Sequence, residues 1–371
     1  MRTLFSSAAA CVLAASLSLH AQQNGAGASP AGDAAAASGA TTAAEAPNRD
    51  TSYIDAGGAA HITRVVPIPD TVSPEAQQVL ARRAPDSAPP HASLAEQRER
   101  TLTGVKHLGD EWSKMLPNQL VNTQIAGIPV RIVTPGGMPA GNSDKVLLEI
   151  HGGGFNTDSG SYTETIPIAG YTRIKVVGVL YRMAPEHPFP AGVDDVVTVY
   201  KELLKSYSPR HIAIYGTSAG AILTGEVAAR IKQLGLPLPA ALGIFSGLGD
   251  FARNGDSRSF FNLRGLAGEL TLPSMPMAAL YTGKTDPKDP VLSPIYSDLR
   301  GMPPTLFISS ERDMLLSGTI NLHRAFLRAG ADARLVVFDA LPHAFWYNPA
   351  LPESIEANRI MADFFVKELG Q

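Results

Sequence analysis

The chain has 371 residues, with 31 lysines and arginines against 34 aspartates and glutamates, a formal net charge of -3. A charge so nearly balanced, with no basic run, argues against nucleic acid as a partner. The single cysteine, Cys11, cannot build a disulfide framework, and no H-E-x-x-H spacing offers metal ligands, so neither metal nor cofactor is expected.

Residues 1–21 have the pattern of an export signal: a basic start at Arg2, an apolar, alanine-rich run over 4–19, and a cleavage point after Ala21. The run is too short and too rich in small residues to serve as a stable membrane span, so a periplasmic or secreted location is expected. Cleavage would remove Cys11 and leave a mature chain without thiols. Residues 22–50 are mostly Ala, Gly, Ser and Thr, which cannot bury enough apolar surface to order themselves; a flexible leader is expected there. Residues 51–115 form an N-terminal segment with helical patterns at 74–83 and 93–100 around a proline-rich break.

From residue 116 to the end the pattern alternates. Strands are expected near 128–133, 146–150, 175–180, 212–215, 241–245, 305–309 and 334–338, and helices near 193–206, 219–234, 316–329 and 353–369. Alternation of this kind specifies an α/β fold, a mostly parallel central sheet flanked by helices. One stretch, 247–292, interrupts it. It is rich in Gly, Pro, Met and Phe.

Two glycine-containing turns follow strands in this pattern. The first is His151-Gly152-Gly153-Gly154. Without side chains, the backbone N–H groups of Gly153 and Gly154 can approach an oxygen on which charge develops. The second is Gly216-Thr217-Ser218-Ala219-Gly220, between a strand and a helix. That order suits a nucleophile elbow, in which the glycines admit a sharp crossing and the serine hydroxyl projects from the sheet edge. The N–H of Ala219 would add a third donor to those of Gly153 and Gly154.

A nucleophilic serine needs a base and an acid, which in such a fold follow it in the order acid, then histidine. Asp313 lies just beyond the strand at 305–309, and His343 follows the strand at 334–338. Asp313 could instead cap the helix after it, and Glu311 and Asp339 are alternative acids near the same strand ends. His323, within a helical pattern, is the other histidine after Ser218. His151 precedes the serine, and its expected role is to hold the glycine turn. Phe345, Trp346 and Tyr347 could line a substrate cleft or pack in the core.

These strings together with Tyr181-Arg182-Met183-Ala184-Pro185-Glu186-His187-Pro188-Phe189-Pro190-Ala191 resemble the hormone-sensitive lipase family of α/β-hydrolases, the bacterial family IV esterases. The resemblance runs from about residue 100 to the end and includes Asp289-Pro290-Val291-Leu292-Ser293-Pro294. It implies an α/β-hydrolase fold with a helical cap, built from the N-terminal segment 51–115 and the insertion 247–292, over a catalytic domain at 116–371. It further implies a Ser218, Asp313 and His343 triad, an oxyanion hole from Gly153, Gly154 and Ala219, and loops braced by Glu186 and His187. Two departures stand out: Thr217 where many relatives carry aspartate, and Asp313-Met314-Leu315 in place of a commoner Asp-Pro-Leu. The activity implied is a serine carboxylesterase acting on short- to medium-chain acyl esters. Alternatives are an amidase, lactonase or deacetylase with the same triad, or a small-ligand-binding protein on the same scaffold.

Overall fold

The computed structural model describes residues 52–63, 66–81, 93–253, 255–261 and 276–370. The expected signal and leader, and residues 262–275 of the expected cap insertion, lie outside the described residues.

Residues 52–63 and 66–69 belong to one unit and the described chain from Asp70 to another. In the first, strands β1 (Tyr53–Ile54) and β2 (Ala60–His61) make a short antiparallel hairpin. Its turn is held by Asp55, whose carboxylate accepts from the N–H groups of Gly57 and Ala59 at 2.9 Å each.

The second unit begins with α1 (Pro74–Leu80) and α2 (Leu94–Met115). The latter extends well past the expected 93–100 and starts in a capping box, where Ser93 Oγ accepts from Glu96 N and Glu96 accepts from Ser93 N. The chain then alternates as expected: β3 (Asn118–Ile125), β4 (Ile128–Pro135), β5 (Val146–Ile150), α3 (Thr165–Thr172), β6 (Lys175–Val179), α4 (Ala191–Leu203), β7 (Ile212–Thr217), α5 (Ala219–Gln233) and β8 (Ala241–Phe245). Helices α6 (Asp256–Phe260) and α7 (Pro276–Thr282) follow, and β9 (Thr305–Arg312), α8 (Leu316–Arg328), β10 (Ala333–Pro342) and α9 (Pro352–Leu369) complete the chain.

Eight strands make one sheet in the order β10-β9-β8-β7-β5-β6-β4-β3, parallel from β10 to β6 and antiparallel where β4 and β3 close one edge. Strand β3 was not foreseen, because its residues are largely polar and exposed. It joins β4 through Ala126 and Gly127, both at positive φ, a tight hairpin made without the usual Asn-Gly pair. Helix α3 was missed as well. Its Thr, Pro and Gly content opposes helix, and its almost complete burial overrides that preference.

Side chains alternate across a strand, so each central strand feeds two cores. Val146, Leu148, Ile150, Ile212, Ile214, Leu242 and Ile244 pack with α4, α5 and α8 on one face. Leu147, Ala213, Tyr215, Ala241, Phe245 and Ile308 pack with α3, α9, α1 and Trp112 on the other. Register then aligns the strand ends. Ile150 pairs with Gly216, and Thr217 pairs with Phe245, so His151, Ser218 and Ser246 leave the sheet at the same edge.

Candidate active site

Ser218 sits between β7 and α5 at φ 58 and ψ -121, a conformation costly for a residue with a side chain. The surroundings hold it there. Its N–H donates to Phe245 O at 3.0 Å, and its carbonyl accepts from Ile222 N in the first turn of α5. The flanking glycines are sterically required: a Cβ on Gly216 would stand 2.3 Å from Ile150 O, and one on Gly220 only 1.8 Å from the same oxygen. The elbow is therefore pressed against the end of β5, where the glycine turn begins.

That turn needs its glycines too. Gly153 has φ 117, and a Cβ there would lie 2.0 Å from Thr157 O; Gly154 has φ 62. A Cβ on Gly152 would stand 2.8 Å from Thr217 O, which brings the turn against the elbow. His151 is buried, stacks on Tyr181 with centroids 4.2 Å apart, and donates from Nδ1 to Gly152 O at 2.8 Å. Holding the turn is thus what its geometry does.

The structure brings Ser218, His343 and Asp313 together. His343 Nε2 is 2.9 Å from Ser218 Oγ, and His343 Nδ1 is 2.9 Å from Asp313 Oδ1. Asp313 is fully buried, whereas the His343 side chain is 17 % exposed. Burial by itself would raise the Asp313 carboxyl. The His343 charge and the hydrogen bonds from His343, Ser246 and Leu315 N outweigh it and hold the carboxyl below its ordinary value.

The alternatives fall elsewhere. Glu311 and Asp339 hydrogen-bond each other at the exposed ends of β9 and β10, where Thr71 also donates to Asp339. His323 Nε2, on α8, donates to Ala333 O at the start of β10. Asp313 is not the N-cap of α8, a position that Leu315 occupies without a side-chain cap bond; its Oδ1 instead accepts from Leu315 N at 2.8 Å in the turn before the helix. Phe345, Trp346 and Tyr347 are core residues, all buried. Trp346 Nε1 donates to Thr217 Oγ1 at 3.1 Å and so braces the elbow from beneath.

Two polar residues at the site were missed in the sequence. Glu164 Oε1 accepts from Gly152 N at 3.1 Å and from Tyr347 OH at 2.6 Å, tying the glycine turn to the segment after His343. Its carboxyl is fully buried, and burial pushes it up to about 8 despite those bonds and others from Thr217. Ser246 donates to Asp313 Oδ2 and also lies 2.6 Å from His343 Nδ1. Glu164 has no motif to mark it. Ser246 carried one signal: it follows a parallel strand at the sheet end where ligands and catalytic groups gather.

Above this edge, Arg98 of α2 reaches Glu186 with both terminal nitrogens, at 2.8 and 2.7 Å, and donates to Asn156 O and Ala184 O. Arg98 therefore ties the loop after β6, through Glu186 and Ala184, to the loop after the glycine turn. Phe155 stacks on Tyr281 of α7 at 3.7 Å, and Tyr281 O accepts from Phe189 N. Among the described residues, no helix is long and apolar enough to cross a membrane.

A family model of the α/β hydrolase fold matches residues 147–347. An acetyl-hydrolase of Streptomyces hygroscopicus is 32% identical over 240 residues, covering 63% of this chain and 79% of the relative. Among solved structures, the crystal structure of esterase E25 has a TM-score of 0.70 and 31% identity, covering 82% of this chain and 97% of that one. An esterase from the bacterial hormone-sensitive lipase family gives 0.69 and 30%, covering 80% and 99%.

Proposed function

Because this chain belongs to the hormone-sensitive lipase family of α/β-hydrolases and is a serine carboxylesterase, we propose that Ser218, His343 and Asp313 are its catalytic triad. The observation that carries this is the unbroken relay from Ser218 Oγ to His343 to Asp313, with both steps at 2.9 Å. Ser218 Oγ attacks the ester carbonyl carbon as His343 Nε2 takes its proton. Asp313 accepts from Nδ1–H, fixes the tautomer and stabilises the imidazolium. The tetrahedral oxyanion is held by the N–H groups of Gly153, Gly154 and Ala219. Losing one such donor typically costs about 3 kcal/mol of transition-state stabilisation. His343 then returns the proton to the departing alcohol oxygen, leaving an acyl-enzyme. Water repeats the sequence and releases the acid.

The substrates are esters of short- to medium-chain acids. Support comes from the acetyl-hydrolase relative and from the aromatic packing of Phe155 and Tyr281 beside the glycine turn. The enzyme acts after export, a reading that rests on the basic start and apolar run of residues 1–21.

Hydrolysis of p-nitrophenyl butyrate by the wild type and by Ser218→Ala tests the reading. Rapid nitrophenol release that disappears in the variant supports it. Release that persists in a folded Ser218→Ala chain removes Ser218 as the nucleophile.

A further inference from the structure

We propose that Ser246 is a positioning residue of this site, locking the His343 imidazole and the Asp313 carboxylate into one arrangement through a hydroxyl that touches both. The proposal rests on the triad reading above and assigns a role to a residue outside it.

Ser246 is the first residue after β8, fully buried, with its N–H donating to Ile308 O at 2.7 Å. The hydroxyl has one proton, and an ionised carboxylate only accepts, so that proton is directed to Asp313 Oδ2. The oxygen's lone pairs are then left to face His343 Nδ1 at 2.6 Å. The Nδ1–H accordingly has two acceptors, Asp313 Oδ1 at 2.9 Å and Ser246 Oγ.

Asp313 is saturated around this contact. Oδ1 accepts from Leu315 N and His343, and Oδ2 accepts from Ser246 and from Ser309 Oγ at 2.9 Å. Of these serines, Ser246 alone also reaches the ring. When His343 takes the Ser218 proton, the new positive charge meets a second fixed acceptor without any group having to move, and no proton leaves Ser246. The backbone supports the same view. Ser246 has φ 56, a left-handed conformation that glycine adopts more readily. A serine there retains its hydroxyl in spite of the backbone preference.

The test compares Ser246→Ala, Ser246→Gly and Ser309→Ala in the full chain, with kcat taken per active site by burst titration on p-nitrophenyl butyrate, and Ser218→Ala by its rate per mole of protein. Ser246→Gly relieves the left-handed backbone, so it remains informative if Ser246→Ala folds poorly. The expected result is a fall in kcat of about ten- to a hundredfold in both Ser246 variants, with KM within about twofold of wild type, as for lost hydrogen bonds to charged groups. Ser309→Ala, which removes a donor to Asp313 without touching the ring, should fall less. Wild-type kcat in Ser246→Gly overturns the proposal, as does a loss confined to KM or an equal loss in Ser309→Ala. Persistent activity in Ser218→Ala would instead overturn the triad reading on which it stands.

Discussion

His343 Nδ1 and Asp313 Oδ1 stand 2.9 Å apart across a site in which the carboxylate is fully buried and the imidazole reaches solvent. The buried partner is therefore the fixed one, and it sets how the exposed partner presents Nε2 to Ser218.

Asp313→Asn keeps the volume but places an amide donor opposite Nδ1, so the ring is driven to the other tautomer and Nε2 can no longer accept the Ser218 proton. A fall in kcat of roughly a thousandfold or more is expected, with little change in KM. Steady-state kinetics on p-nitrophenyl butyrate measure it, and a loss below tenfold would point to another acid.

Glu164 makes stability depend on pH in a direction opposite to most carboxylates. Its folded-state carboxyl lies near 8 against an ordinary value of 4.5. Between those values the folded protein holds a proton that the unfolded chain has released, so stability is fully present below about pH 4.5 and is lost as pH rises toward 8. Glu164→Gln removes this contribution while leaving an oxygen to accept from Gly152 N and Tyr347 OH. Tm followed from pH 5 to 8.5 should slope less steeply in the variant. Glu149 and Glu226, which burial also raises, keep contributing slope of the same sign in the variant. Identical slopes in variant and wild type would exclude the contribution of Glu164.

Gly220→Ala should be among the most damaging single-methyl additions in the chain, because its Cβ would meet Ile150 O at 1.8 Å. Both atoms are held by main chain, so neither can turn aside. We expect a loss on the order of 3 kcal/mol or more, or failure to accumulate as soluble protein. Urea unfolding reports the difference, and a midpoint equal to wild type would show that the elbow can move away from β5.

Tyr281 OH donates to Glu226 Oε2, linking α7 to α5 in the buried interior, and Glu226 Oε1 has no hydrogen-bond partner among the described residues. Tyr281→Phe leaves that carboxyl without its donor and should cost about 1–3 kcal/mol. Adding Glu226→Leu removes the stranded group and should recover most of the loss. A double-mutant cycle in urea checks this. Strict additivity would mean that the two side chains do not interact.

Strand periodicity and the glycine turns made the parallel core and the Ser218 elbow legible, since each depends on residues near one another in sequence. Helix α3 and strand β3 were not legible for the converse reason. Their local preferences are poor, and burial in one case and pairing with β4 in the other supply what the local sequence lacks. The placement of Phe345, Trp346 and Tyr347 was open because an aromatic run has the same composition in a cleft wall as in a core. The burial of all three decides it, with Trp346 bonded to Thr217 and Tyr347 to Glu164.

The sequence by itself determined the groups whose chemistry is local: a serine at a strand-helix turn, glycines that only a crowded backbone requires, and a histidine and a carboxylate following later strands. The tertiary structure decided which carboxylate meets the ring and which hydroxyls hold it. Ser246, Asp313 and His343 are separated by 67 and 30 residues along the chain. What brings them within hydrogen-bonding distance is the register of β8, β9 and β10, a consequence of packing two cores against one twisted sheet, and no local pattern encodes it.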